Sequence, residues 1–236
     1  MIDNAAYIMH DGTIVARLLQ RLGRWEDALA LLPEGNTAAA ALRAEILVDR
    51  FFWRLDQAGP AQVAVAALEP EDAALAGFLQ AQLACTRLMF DLDPEADDKV
   101  RVHKGLAAAM IDGRLTGWAT FWRGVLADNV DADTQTAGAH YARALATARD
   151  KHDLLLESYA VRHQGAHLLE ADRDAGVALL RRSYHLRAAL GARPQTAAAA
   201  VTLAQEFPAG TEAEGLRDAA ALTARELRLT WLLRAL

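Results

Sequence analysis

Two histidines four residues apart, His163 and His167, with Glu170 three further on, form the spacing in this 236-residue chain that most suggests chemistry. Helix positions i and i+4 share a face, and two imidazoles with a carboxylate can hold a divalent metal. On a helical wheel Tyr159, His163, His167 and Glu170 oppose an apolar side of Leu154, Val161, Gly165, Leu168 and Leu169. Glu does not follow the first His, so the pattern is not His-Glu-x-x-His, and spacing fixes no third ligand, although His140 and His185 fall in neighbouring helices. The spacing favours a polar face over a metal site, and no cofactor is expected.

Other reactive groups are sparse. The only serines, Ser158 and Ser183, lie outside any Gly-x-Ser-x-Gly elbow. Cys85 stands in an apolar helical stretch, as a packed and inert thiol would. The run Asp91-Leu92-Asp93-Pro94-Glu95-Ala96-Asp97-Asp98 starts like a calcium loop but has Ala96 and Val102 where that loop needs glycine and glutamate. It reads as a solvated loop, with Asp93 capping a helix that Pro94 opens. No two glycines stand in a phosphate-cradling pattern. Arg162, Arg181, Arg182, Arg187 and Arg193 could clamp a carboxylate or phosphate, though such arginines are more often exposed and paired with nearby acids. Arg162 stands apart, because it borders the Tyr159 and His163 face.

The elements that must position these residues are helices. Alanine, leucine, arginine and glutamate dominate, all strong helix formers, and period-2 alternation is missing. Hydrophobic residues make up 53% and charged residues 24%, enough to bury a large core. Periodicity, caps and prolines predict helices at 13–23, 25–32, 37–57, 61–68, 71–91, 95–111, 116–129, 134–149, 153–170, 173–190, 194–206 and 212–235. Thr116, Asp153 and Asp172 are expected N-caps, and Thr211 to Glu214 has capping-box spacing. Short connections make neighbouring helices antiparallel, so they form hairpins. The expected fold class is all-α, with about 10–12 helices.

An internal repeat is clearest at 113–190. Trp118, Trp122 and Gly124 align with Tyr159, His163 and Gly165, and Ala137, Tyr141 and Ala144 align with Gly176, Leu180 and Ser183. The unit is about 40 residues, a first helix, a loop and a second helix. Gly124 and Gly165 would let a neighbouring helix approach closely. The segment 1–112 is less regular, and 193–236 reads as a capping hairpin, all within one domain of residues 1–236.

Leu22-Gly23-Arg24-Trp25-Glu26-Asp27-Ala28-Leu29 resembles the turn and second-helix start of the tetratricopeptide repeat, and Arg182 to Gly191 resembles the repeat ends of bacterial arrays of that family. The resemblance implies a right-handed superhelix of antiparallel hairpins whose concave groove binds a protein or peptide, without chemistry of its own. The unit is longer than that family's usual 34 residues. If first helices line the concave side, Trp118, Trp122, Tyr159, Arg162, His163 and His167 form one stripe of a binding groove. Packing of the aromatics between hairpins is the competing reading.

The expected function is therefore a non-enzymatic interaction scaffold. The alternatives are a metal- or small-molecule-binding protein using the His163, His167 and Glu170 face, and a self-associating subunit. The net charge of -6 argues against a nucleic-acid partner. No apolar run reaches the roughly 20 residues a membrane helix needs, and the N-terminus lacks a signal-peptide pattern. A single cysteine fits a reducing compartment, so the expected location is cytoplasmic. The apolar end Leu227 to Leu236 is unusual for a solenoid terminus and suggests a homodimer.

Overall fold

The computed structural model describes residues 4–208 and 210–236, and for residues 4–11 and 211 only the course of the backbone. Thirteen helices are found among the described residues: α1 (Asn4–Arg21), α2 (Trp25–Ala30), α3 (Thr37–Arg54), α4 (Gly59–Leu68), α5 (Ala73–Phe90), α6 (Asp98–Ala109), α7 (Thr116–Asn129), α8 (Thr134–Asp150), α9 (Leu154–Leu168), α10 (Arg173–Ala189), α11 (Arg193–Gln205), α12 (Thr211–Leu227) and α13 (Thr230–Ala235). Five begin with a side-chain cap. Asn36, Asp72, Asp133, Asp153 and Asp172 each accept the N–H three residues on, which satisfies one of the orphan donors of the first turn.

Three local expectations are corrected. Thr116 does not cap α7: Leu115 precedes the helix, and the Thr116 hydroxyl donates back to the Asp112 carbonyl at 2.8 Å. Asp93-Pro94 does not open α6, which starts at Asp98. Asp93 is left-handed at φ 46° instead, and the acids that follow fold round Arg87. The last expected helix, 212–235, is two helices. Arg228 is left-handed at φ 59°, and the Leu229 N–H returns to the Ala224 carbonyl at 2.9 Å, the bonding of a helix end. The Thr211 side chain of the expected capping box lies outside the described residues, and the residue before α12 is Gly210.

The helices pair as hairpins in chain order, α1 with α2 through α11 with α12, and successive first helices α3, α5, α7 and α9 also touch. α7, α9 and α11 begin at Thr116, Leu154 and Arg193, a step close to the expected 40-residue unit. A Cβ on Gly165 would lie 2.9 Å from the Gly176 carbonyl oxygen of α10, so the close approach inferred for this position is real. A Cβ on Gly124 would likewise strike the Tyr141 ring, at 2.6 Å.

The array does not end as an open superhelix. One buried cluster joins Trp25, Leu42, Ile46 and Trp53 near the N-terminus to Ala197, Val201, Ala224, Leu227, Leu229 and Leu232 near the C-terminus. The Arg54 Nε donates to the Leu227 carbonyl at 3.1 Å and its Nη1 to Glu26 at 2.5 Å. Gly23, at φ 75°, turns the chain against this seam, where a Cβ would sit 2.6 Å from Leu227 Cδ1. Much of the apolar C-terminal end, expected to support a homodimer, packs within its own chain: Leu229 and Leu232 are buried, and Trp231 stacks on Trp53 at 5.5 Å, while Leu233 and Leu236 stay exposed. Among the described residues one helix, α5, of 18 residues, is long and apolar enough to cross a membrane by length and composition; over half of it is buried in the core, against α3, α6 and α7.

Candidate functional site

Closing the array creates a central cavity of about 610 Å³. This is within the range of small-molecule sites. The first helices of the hairpins supply nearly all of its wall, and α10 adds Arg187 and α13 adds Trp231. The reason is geometric. In each hairpin the second helix packs outside the first, so the first helix faces inward and, of the second helices, α10 alone reaches the wall, through Arg187.

Aromatic rings cluster on that wall. Phe52 contacts Trp53, Phe90, Trp122 and Trp231 at centroid distances between 5.3 and 6.4 Å. Phe121 contacts Trp118, Trp122, Tyr159 and His163. The expected stripe is therefore a spatial neighbourhood. Trp118 and Tyr159, aligned in the repeat, meet at 5.4 Å, and Trp118, Trp122, Tyr159, Arg162 and His163 all line the cavity. His167 does not. It lies behind the wall, its Nε2 3.1 Å from Asp128. The competing reading also has its part, since Trp118 packs between hairpins and its indole N–H bonds Asp153 at 3.0 Å.

The polar groups divide into two sets. One is self-contained. Asp128 accepts from Tyr141 at 3.2 Å and meets His167 at 3.1 Å and His163 Nδ1 at 3.7 Å. These neighbours, His163 first, hold the Asp128 carboxyl down to about 2. Burial, and then the Arg162 charge, push His163 down to about 3, so it is a neutral ring at physiological pH. It stacks on Tyr141 at 4.4 Å. Asp128 on α7, not Glu170, is the carboxylate these histidines share; Glu170 is exposed beyond the end of α9. The expected His163, His167 and Glu170 face is corrected accordingly.

The other set faces the cavity. Of the five arginines noted in the sequence, Arg181, Arg182 and Arg193 pair with Glu212, Glu157 and Glu226 at 2.7, 2.6 and 2.5 Å. Arg162 and Arg187 have no carboxylate within ion-pair distance among the described residues. Arg162 touches Thr202 Oγ1 and His163 at 3.4 Å. Arg187, only 2% exposed, donates to the Gln195 carbonyl at 3.0 Å and lies 4.5 Å over the Tyr159 ring. Burial pushes Arg187 down to about 10, which leaves it charged at neutral pH. Across the cavity wall Asp49 accepts the indole N–H groups of Trp25 at 2.8 Å and Trp53 at 3.0 Å, and burial raises its carboxyl to about 6.

Away from the cavity, the carboxylates of Glu95, Asp97 and Asp98 gather within 4.8 Å of one another. Arg87 and Arg101 already pair with them, so the run is an arginine-neutralised turn. Cys85 is fully buried, and desolvation pushes its thiol up to about 12.

Sequence reasoning missed Asp49, Asp128, Phe52, Trp53 and Trp231 as parts of these sites. The only available signal was register: Asp49 and Phe52 sit on the first helix of a hairpin at inward positions, but 1–112 lacks the repeat alignment that would have shown it.

The fold and the cavity define an all-α protein of stacked helical hairpins closed around an aromatic chamber. Comparison with protein-family models, with curated proteins and with solved structures finds no match.

Proposed function

We propose that this chain is a non-enzymatic binding protein that takes a small, largely apolar organic molecule into its central cavity. The observation that carries this is the 610 Å³ chamber walled by Phe52, Trp118, Phe121, Trp122, Tyr159 and Trp231. Concave apolar chambers with a few convergent polar groups are the usual form of such sites. The reading keeps the expected binding role and the expected stripe, and exchanges a peptide in a groove for a molecule in a chamber. The hairpins are read as tetratricopeptide-like with that family's right-handed sense. Gly23 at the turn, buried Trp25 and buried Ala28 support this.

The neutral dye Nile red tests the reading. It is expected to bind one to one with a blue-shifted emission, and Gln82→Trp, which places a ring in the cavity, should abolish binding while helicity is retained. Gln82 lines the cavity, and the bond it accepts from Thr86 is made by its backbone carbonyl, which the substitution keeps. Failure of the dye to bind, or equal binding to the filled variant, rejects the chamber as the site. A peptide partner is the second reading, favoured by a helical-hairpin fold of the kind that serves as a protein-interaction scaffold. An extended peptide would have to part the seam between Arg54 and Leu227.

A further inference from the structure

We infer that the molecule held in the cavity is an organic anion: a carboxylate with an apolar body, its head group received by Arg162 and Arg187 and its body laid against the aromatic wall. This rests on the proposed chamber and names its ligand class.

The inference starts from an imbalance of charge. Arginine is almost never fully buried without a partner, and a buried charge is expensive unless it is paired and hydrogen-bonded. Arg187 is 2% exposed, yet its contacts are a backbone carbonyl, the Ser158 hydroxyl at 3.4 Å and the face of Tyr159. Tyr159 is no counter-anion, because burial pushes its phenol up to about 12. Arg162 lines the same cavity, and its guanidinium disfavours the charge on Arg187.

The nearby acids are engaged elsewhere. Asp128 attracts Arg162 from beyond ion-pair distance, but its oxygens are taken by Tyr141 and His167. Asp49 also lines the cavity, and its two oxygens accept the indole N–H groups of Trp25 and Trp53. His163, between the two sets, is neutral. Of the four arginines that line the cavity, Arg17 pairs with Glu45 and Arg21 is exposed; Arg162 and the buried Arg187 are left without a carboxylate among the described residues.

One further lining atom points to a ligand: the buried Trp231 Nε1, a donor, has no hydrogen-bond partner. Buried polar atoms are rarely left so. Guanidinium is the donor best matched to a planar carboxylate, which it can grip through two N–H groups. The aromatic rings of the wall give the apolar body of the molecule a place beside that head group.

The test is a matched pair, 2-naphthoate and 2-naphthylmethanol, titrated calorimetrically into the whole protein. The acid is expected to bind at least about tenfold more tightly than the alcohol, the difference a charge-assisted hydrogen bond makes. Arg162→Gln should weaken the acid far more than the alcohol and so remove most of that preference. Arg162→Lys should keep more of it. Arg162 is chosen because Arg187 is buried and its replacement could unfold the chain. Equal binding of acid and alcohol by the wild type overturns the anion inference and leaves the chamber standing. Binding of neither, with no displacement of Nile red, rejects both. An acid preference that survives Arg162→Gln unchanged overturns the assignment of the head group.

Discussion

At the scale of single residues, the cavity is governed by what burial does to charge. Asp49 is the clearest case, because its carboxyl is raised to about 6 by desolvation although two indole N–H groups favour the ionised form. A raised carboxyl pKa means that the folded state holds the proton more tightly than the unfolded chain. Asp49 therefore contributes stability that is fully present below its ordinary value of 3.8 and is lost as pH rises through about 6. Its side-chain carbonyl carbon, followed by NMR, should titrate near pH 6. Trp25→Phe removes one donor to the carboxylate and should move that midpoint higher; a midpoint near 4 in the wild type would contradict the burial. His163 runs the other way. Its folded form is the neutral one, so its contribution is present above the ordinary 6.5 and is lost as pH falls toward 3. The sequence showed His163, Trp118 and Arg162 because a repeat alignment brought them into register. It did not show Asp128 or Asp49, whose roles depend on partners brought in from other helices: Tyr141, His163 and His167 for Asp128, and Trp25 for Asp49.

At the scale of elements, the sequence was read most accurately where the local code is complete. Thr116–Asn129 has the bounds periodicity gave it, and Asp153 and Asp172 cap their helices as expected. The break at Arg228 was illegible because a left-handed arginine carries no glycine or proline mark. It is imposed by the burial of Leu229 in the closing seam. Mid-helix glycines give a test in two directions. Gly165→Ala would place a Cβ 2.9 Å from the Gly176 carbonyl, a backbone atom that cannot swing aside. It should destabilise the protein by about 1–3 kcal/mol. Gly215→Ala, in α12, meets nothing within 4 Å. It should stabilise by about 0.5–1 kcal/mol through helix propensity alone. Urea unfolding midpoints that move in the same direction would refute the assigned α9–α10 contact.

At the scale of the whole molecule, the feature least visible beforehand is closure. Repeat patterns report nearest neighbours, and in an open solenoid stability is close to a sum over them. Whether the first hairpin meets the last depends on small rotations added over every unit, which no single motif records. Here the seam is a shared core, with Leu232 of α13 at 1% exposure beside residues of α2 and α3. Leu232→Ala removes a fully buried side chain and should cost about 2–5 kcal/mol. Its distribution is the sharper expectation. In an open array, damage at the last helix would raise hydrogen exchange in α11 and α12 and fade before α3. In a closed one, the amides of α3 lose the same packing surface and should lose protection together with those of α12, while α8, which has no residue in that shared core, keeps its own. Hydrogen exchange read by mass spectrometry on the Leu232→Ala variant distinguishes the two. Unchanged exchange in α3 would open the ring, and with it the chamber on which the proposed binding depends.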